Sequence, residues 1–155
     1  MRTKGKEFKY IDYVHFEQKA YSFMAYEIVS VLALIDEKER NAVQKEVYEI
    51  IGAEKEAKVI IYGAGLLANH LYFLLKYFCP NIEIVSWAVT DNNGIENEIY
   101  GIPVLNIIHI DKNVPLVIAA SGKSKCEMKN NAESMGYSKV KYFTAMKWEN
   151  LLENK

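Results

Sequence analysis

A net charge of one sign, paired thiols and a membrane-length apolar run are all missing from this chain of 155 residues. Its formal net charge is −1 and no basic stripe runs along it, so it has no long-range field to gather nucleic acid. Only two cysteines occur, Cys79 and Cys126, far apart and with no second thiol or paired histidine nearby. That spacing fits neither zinc nor redox chemistry, and reduced structural thiols are expected. His15 and His109 lack acidic or thiol partners at a readable spacing, so neither a catalytic dyad nor a metal site can be assembled. The basic start, MRTKGKEFKY, is not followed by a signal-like apolar core. The most apolar segment, AYSFMAYEIVSVLALI (residues 20–35), is about 16 residues long against the ~20 a bilayer span needs, and Glu27 interrupts it. It is expected to be a buried helix or an oligomer contact rather than a membrane span. The protein is therefore expected to be soluble and cytoplasmic.

Half of the residues are hydrophobic and a quarter are charged, the balance of an ordinary globular protein. In the first third Phe16, Ala20, Phe23, Ile28, Val31 and Ile35 recur at helical spacing. Asp36 and Glu39 then form a capping box that starts a second helix, with Val43, Val47, Ile50 and Ile51 as its apolar stripe and Gly52 as its cap. Residues 1–53 are thus expected to be a helical extension, for packing or for a homodimer. Residues 54–155 are expected to form the main domain.

From Lys58 the period changes. KVIIY, IEIVSWAVT, GIPVL, LVIAAS and KVKYF read as strands, and LLANHLYFLLKYF, KSKCEMKNNAESMG and TAMKWENLLENK as helices. NIIHI supplies one further helical turn. Alternation of this kind predicts an α/β fold: a truncated, Rossmann-like parallel sheet of about five strands with helices on both faces. The strand at 58–62 should be central, with 83–90 and 102–105 on one side and 116–120 and 139–143 on the other. The topological switch point then falls between 58–62 and 116–120, where open α/β sheets bind ligands.

Gly63-Ala64-Gly65-Leu66-Leu67-Ala68 matches G-x-G-x-x-G/A between a strand and a helix. Gly63 permits the turn, Gly65 lets a phosphate reach the backbone, and Ala68 allows close helix–sheet packing. The first helical N–H groups, from Leu66 on, would face the anion. Asp91, about 20 residues further on, stands where an acidic ribose partner is expected, though D-N-N-G is also simply a good turn. A strand-to-helix turn needs small residues whether or not anything binds, so both readings stand. The loop after the fourth strand carries Ser121, Gly122 and Lys123, with Ser124 and Glu127 as a capping box that would start the helix at Ser124. It is not a Walker A loop, because Val117 occupies the position of the required earlier glycine. No catalytic group is evident.

The runs KVIIYGAGLLANHLYFLL, VSWAVTDNN, IYGIPVL and PLVIAASGKSK resemble a small Rossmann-like module of polysaccharide and sugar-nucleotide biosynthesis. Such modules form the N-terminal domain of bacterial sugar acyltransferases and precede polysaccharide epimerase/dehydratases. They also accompany glycosyltransferases and FkbM-type methyltransferases. The resemblance covers about residues 58–143. It implies Gly63, Ala64 and Gly65 at the nucleotide phosphates, Asp91 near the nucleoside, and Ser121 and Gly122 at the opposite wall. The acidic pair usual after the second strand is reduced here to Asp91 followed by Asn92. A nucleotide or UDP-type nucleotide sugar is the expected ligand. A small NAD(P)-dependent oxidoreductase-like domain and a non-catalytic scaffold are the alternatives.

Overall fold

A computed structural model describes residues 37–52, 57–91 and 93–144. The expected first helix, the apolar segment at 20–35 and the closing helix after Thr144 lie outside the described residues, and with them the expected dimer contact. Helix α1 (Glu37–Ile51) leads into β1 (Lys58–Tyr62), α2 (Leu66–Phe78) and β2 (Glu83–Val89). A short hairpin of β3 (Glu98–Ile99) and β4 (Ile102–Asn106) follows, then a 3₁₀ turn at Ile107–His109. The chain continues with β5 (Leu116–Ala119), α3 (Gly122–Ser134) and β6 (Val140–Phe143).

The six strands form one sheet in the order β3-β4-β2-β1-β5-β6. Every neighbouring pair is parallel except β3–β4. The five expected strands hold the expected order, with β1 in the centre. This is an α/β fold consistent with a Rossmann-like sheet. β3 is an addition. It is a two-residue strand closed by Tyr100 and Gly101, both at positive φ (54° and 75°), as a two-residue type I′ hairpin loop demands. A tyrosine in that conformation is uncommon, and the surrounding contacts hold it there. Its ring stacks on Tyr72 of α2 at 4.5 Å, and its hydroxyl donates to Asn69 Oδ1 at 2.9 Å.

The central strands are buried on both sides, which is why VIIY and LVIA read as unbroken apolar runs. Val59, Ile61, Trp87, Val89 and Val117 point to one face and meet α1 and α2. Ile60, Tyr62, Ala88, Leu116 and Ile118 point to the other face, against Ala132 of α3, Ile107 and Tyr137. Each such aliphatic side chain taken from water contributes about 1.5–3 kcal/mol.

Helix α1 packs into the same core as the sheet: Val47, Ile50 and Ile51 of its stripe are all buried there. Gln44 Nε2 donates to the carbonyl of Phe78 at 2.7 Å, so α1 also satisfies the C-terminal end of α2. Beside that contact the Cys79 thiol is buried and hydrogen-bonded to Tyr48. Burial raises its pKa to about 11, which leaves it protonated and inert at neutral pH. Cys126 is exposed on α3, and neither thiol forms a disulfide.

Candidate nucleotide-binding site

β1 delivers the chain to the sheet edge at Tyr62, and the next three residues must reverse it into α2. Gly63 does this at φ +123°, with its N–H donating to the carbonyl of Ala88 at 2.9 Å. A Cβ on Gly63 would lie 3.2 Å from the carbonyl oxygen of Ala119 and 3.5 Å from Met128 Cε. The backbone and its neighbours therefore both require glycine at this position.

Gly65 is different. Its φ is −84°, open to any residue, and a Cβ there would meet nothing within 4 Å. It occupies the N-cap of α2, provides no side-chain hydrogen bond, and is followed by a first turn with no acidic residue. The leading N–H groups of α2 thus lack both a side-chain cap and a compensating charge.

Asn69 secures the turn from behind. It is 8% exposed. Its Nδ2 donates to the carbonyls of Gly65 (2.9 Å) and Ala64 (3.4 Å), while Oδ1 accepts from Tyr100. One buried amide thereby joins the Gly-rich turn to the β3–β4 hairpin. Trp87 makes a second tie, donating from Nε1 to the carbonyl of Ile99 at 3.1 Å.

Between turn and hairpin lies a cavity of about 790 Å³. Gly63, Ala64 and Gly65 form one side, Val89, Thr90 and Asp91 at the end of β2 form another, and the segment from Gly94 to Tyr100 closes it. Tyr62, Asn69 and Met128 complete the walls. The volume falls within the roughly 300–1,000 Å³ of small-molecule sites.

Four of the expected site residues are therefore brought together: Gly63, Ala64, Gly65 and Asp91. Leu66 begins α2 beside them with its side chain 47% exposed. Asp91 is exposed, and both of its carboxylate oxygens are engaged by Asn93, through the backbone N–H (2.9 Å) and Nδ2 (3.1 Å).

Ser121, Gly122 and Lys123 are not among the cavity walls. α3 begins at Gly122 with Ser121 as N-cap, not at Ser124 as the capping-box pattern predicted. Glu127 pairs instead with Lys123 at 3.5 Å, and the lysine side chain is 90% exposed. The switch point does fall between β1 and β5, but most cavity walls lie on the β2 side of β1, and Met128 of α3 is the wall residue contributed from the β5 side.

Sequence reasoning missed Asn69, Tyr62, Thr90, Tyr100 and Met128. Asn69 alone left a signal, as a polar residue in the first turns of an otherwise apolar helix. His70 is half-buried on α2, where burial lowers its pKa below the ordinary imidazole value and favours the neutral ring. Among the described residues no group of three or more His, Cys, Asp or Glu could hold a metal ion. Likewise, no helix among them is long and apolar enough to cross a membrane. Comparison of the sequence with protein-family models and with curated proteins gave no match.

Proposed function

We propose that this chain is a nucleotide- or nucleotide-sugar-binding module of the kind associated with polysaccharide and sugar-nucleotide biosynthesis. In this reading the phosphates sit against the Gly63–Gly65 turn. The observation that supports it most is Gly65, a glycine that the fold does not require, facing open space at the uncapped start of a helix. Removing a side chain there lets an anion approach backbone N–H groups that have no side-chain cap. The nucleoside would extend toward β2, and a sugar toward the hairpin side.

NAD(P) binding is the second reading. It is favoured by Asp91, which follows β2 where a dinucleotide fold places its ribose-binding acid. Against it, the Ser121–Lys123 loop, over which a second nucleotide would have to lie, is not among the cavity walls.

Thermal unfolding against UDP, UDP-sugars, NAD and NADPH separates the two. A ligand at 100 times its Kd adds about 2.7 kcal/mol, a rise of roughly 5–10 °C for a chain of this size. A rise with UDP-type ligands alone is the expected result. A rise with NAD or NADPH alone would replace this reading by the second, and no rise with any ligand would refute both.

A further inference from the structure

Two polar side chains follow β2 at the cavity wall, Thr90 and Asp91, and their surroundings differ. Asp91 closes its own turn, with each oxygen already accepting from Asn93. Thr90 is held from two directions. Its backbone carbonyl accepts from Asn106 Nδ2 at 2.9 Å, and its Oγ1 lies 2.7 Å from the Tyr62 hydroxyl.

The protons in that pair can be accounted for. Two hydroxyls bring two protons, and the bond between them uses one. Among the described residues neither hydroxyl has another hydrogen-bond partner. The neighbouring phenol of Tyr137 does not supply one, since it donates to the carbonyls of Ile107 (2.7 Å) and Ile110 (3.3 Å).

Tyr62 is fully buried (0% exposed), whereas Thr90 is exposed. A buried phenol whose proton has no acceptor is costly, while an exposed threonine proton is not. Tyr62 is therefore the donor and Thr90 Oγ1 the acceptor. That arrangement leaves the threonine proton and one of its lone pairs for a ligand in the cavity that Thr90 lines.

We infer that Thr90, oriented by the buried Tyr62 hydroxyl, reads the ligand at the β2 end of the cavity by hydrogen bonding to a ribose 2′-hydroxyl, the task an acidic residue performs in dinucleotide folds. Asp91 serves the turn instead. The inference rests on the nucleotide-binding reading above and specifies its nucleoside end. Thr90 touches the ligand, and Tyr62 is a positioning residue that fixes which way the threonine proton points. A neutral reader of this kind neither attracts nor repels a neighbouring phosphate.

The test is calorimetric binding of UDP and ADP, and of their 2′-deoxy counterparts, to the full chain and four variants. The wild type should prefer each ribonucleotide over its 2′-deoxy form by about tenfold. Thr90→Val should weaken ribonucleotide binding by about tenfold and erase that preference, while Thr90→Ser should stay within about twofold of wild type. Tyr62→Phe, which removes only the oxygen, should reduce the preference by a few fold, an effect that a purely structural role would not produce. Asp91→Asn should bind within about twofold of wild type. Wild-type affinity in Thr90→Val, or a larger loss in Asp91→Asn than in Thr90→Val, overturns the inference and leaves the nucleotide reading intact. A wild type that binds none of the four nucleotides overturns both.

Discussion

The turns after β1 and β5 leave neighbouring parallel strands at the same edge of the sheet, and each carries glycine into a helix. After β5 the glycine is structural: Gly122 has φ +55°, in the region that disfavours side chains, and nothing lies within 4 Å of where its Cβ would be. After β1 the two requirements are divided between two residues. Gly63 takes the special backbone conformation and the close contact with Ala119, which leaves Gly65 unstrained and uncrowded. Glycine at a turn is thus no guide to ligand binding by itself. A second glycine that neither conformation nor packing requires is more informative, and only the first turn has one.

The largest effect expected from testing this contrast is at Gly63. Gly63→Val places a side chain at a positive φ against a backbone carbonyl. It should lower the stability measured by urea unfolding by on the order of 2–3 kcal/mol. Gly65→Val should leave stability within about 1 kcal/mol, the usual range for a changed N-cap. It should nevertheless weaken nucleotide binding at least tenfold, or about 1.4 kcal/mol, in calorimetry. Equal affinity in the variant would remove the phosphate from this turn. Gly122→Ala should do the reverse, with a stability loss of about 1–2 kcal/mol for a residue held left-handed and unchanged affinity.

Lys123→Ala is expected to change little. The pair with Glu127 is solvent-exposed, so its loss should cost less than about 0.5 kcal/mol. Nucleotide affinity should be unaltered, and a clear drop would show that the ligand crosses to the second turn.

The smallest signal comes from Cys126, in the second turn of α3. Among the described residues it is the accessible thiol, because Cys79 is buried with its pKa raised to about 11. Saturating nucleotide should leave its rate of modification by a thiol reagent unchanged, and protection would again extend the ligand across the switch point.

The strand order was legible in the sequence because VIIY and LVIA can only be buried on both faces, and a parallel sheet provides that environment. The stripe of α1 was legible for a related reason, since Val47, Ile50 and Ile51 recur at helical spacing and are all buried. The start of α3 was not, because Ser124 and Glu127 mimic a capping box while Ser121 takes the cap position three residues before the expected start at Ser124. β3 was missed since its hairpin loop is Tyr-Gly, and long-range stacking rather than local preference holds the tyrosine at positive φ. The cavity walls were only partly legible, because they bring Met128 and the segment from Gly94 to Tyr100 to the Gly-rich turn, residues distant in sequence that no local pattern joins.

The hydrogen bond from Trp87 to Ile99 has a practical consequence. The indole is fully buried beneath the hairpin, yet its N–H is attached to the cavity wall itself. Any occupant that displaces the segment from Gly94 to Tyr100 must stretch or redirect that bond, and indole emission responds to its hydrogen bonding. The chain has two tryptophans, so replacing Trp148 by phenylalanine leaves Trp87 as the single indole, excited apart from the tyrosines at the red edge of its absorption. The protein then carries its own optical gauge of cavity occupancy, without an attached dye.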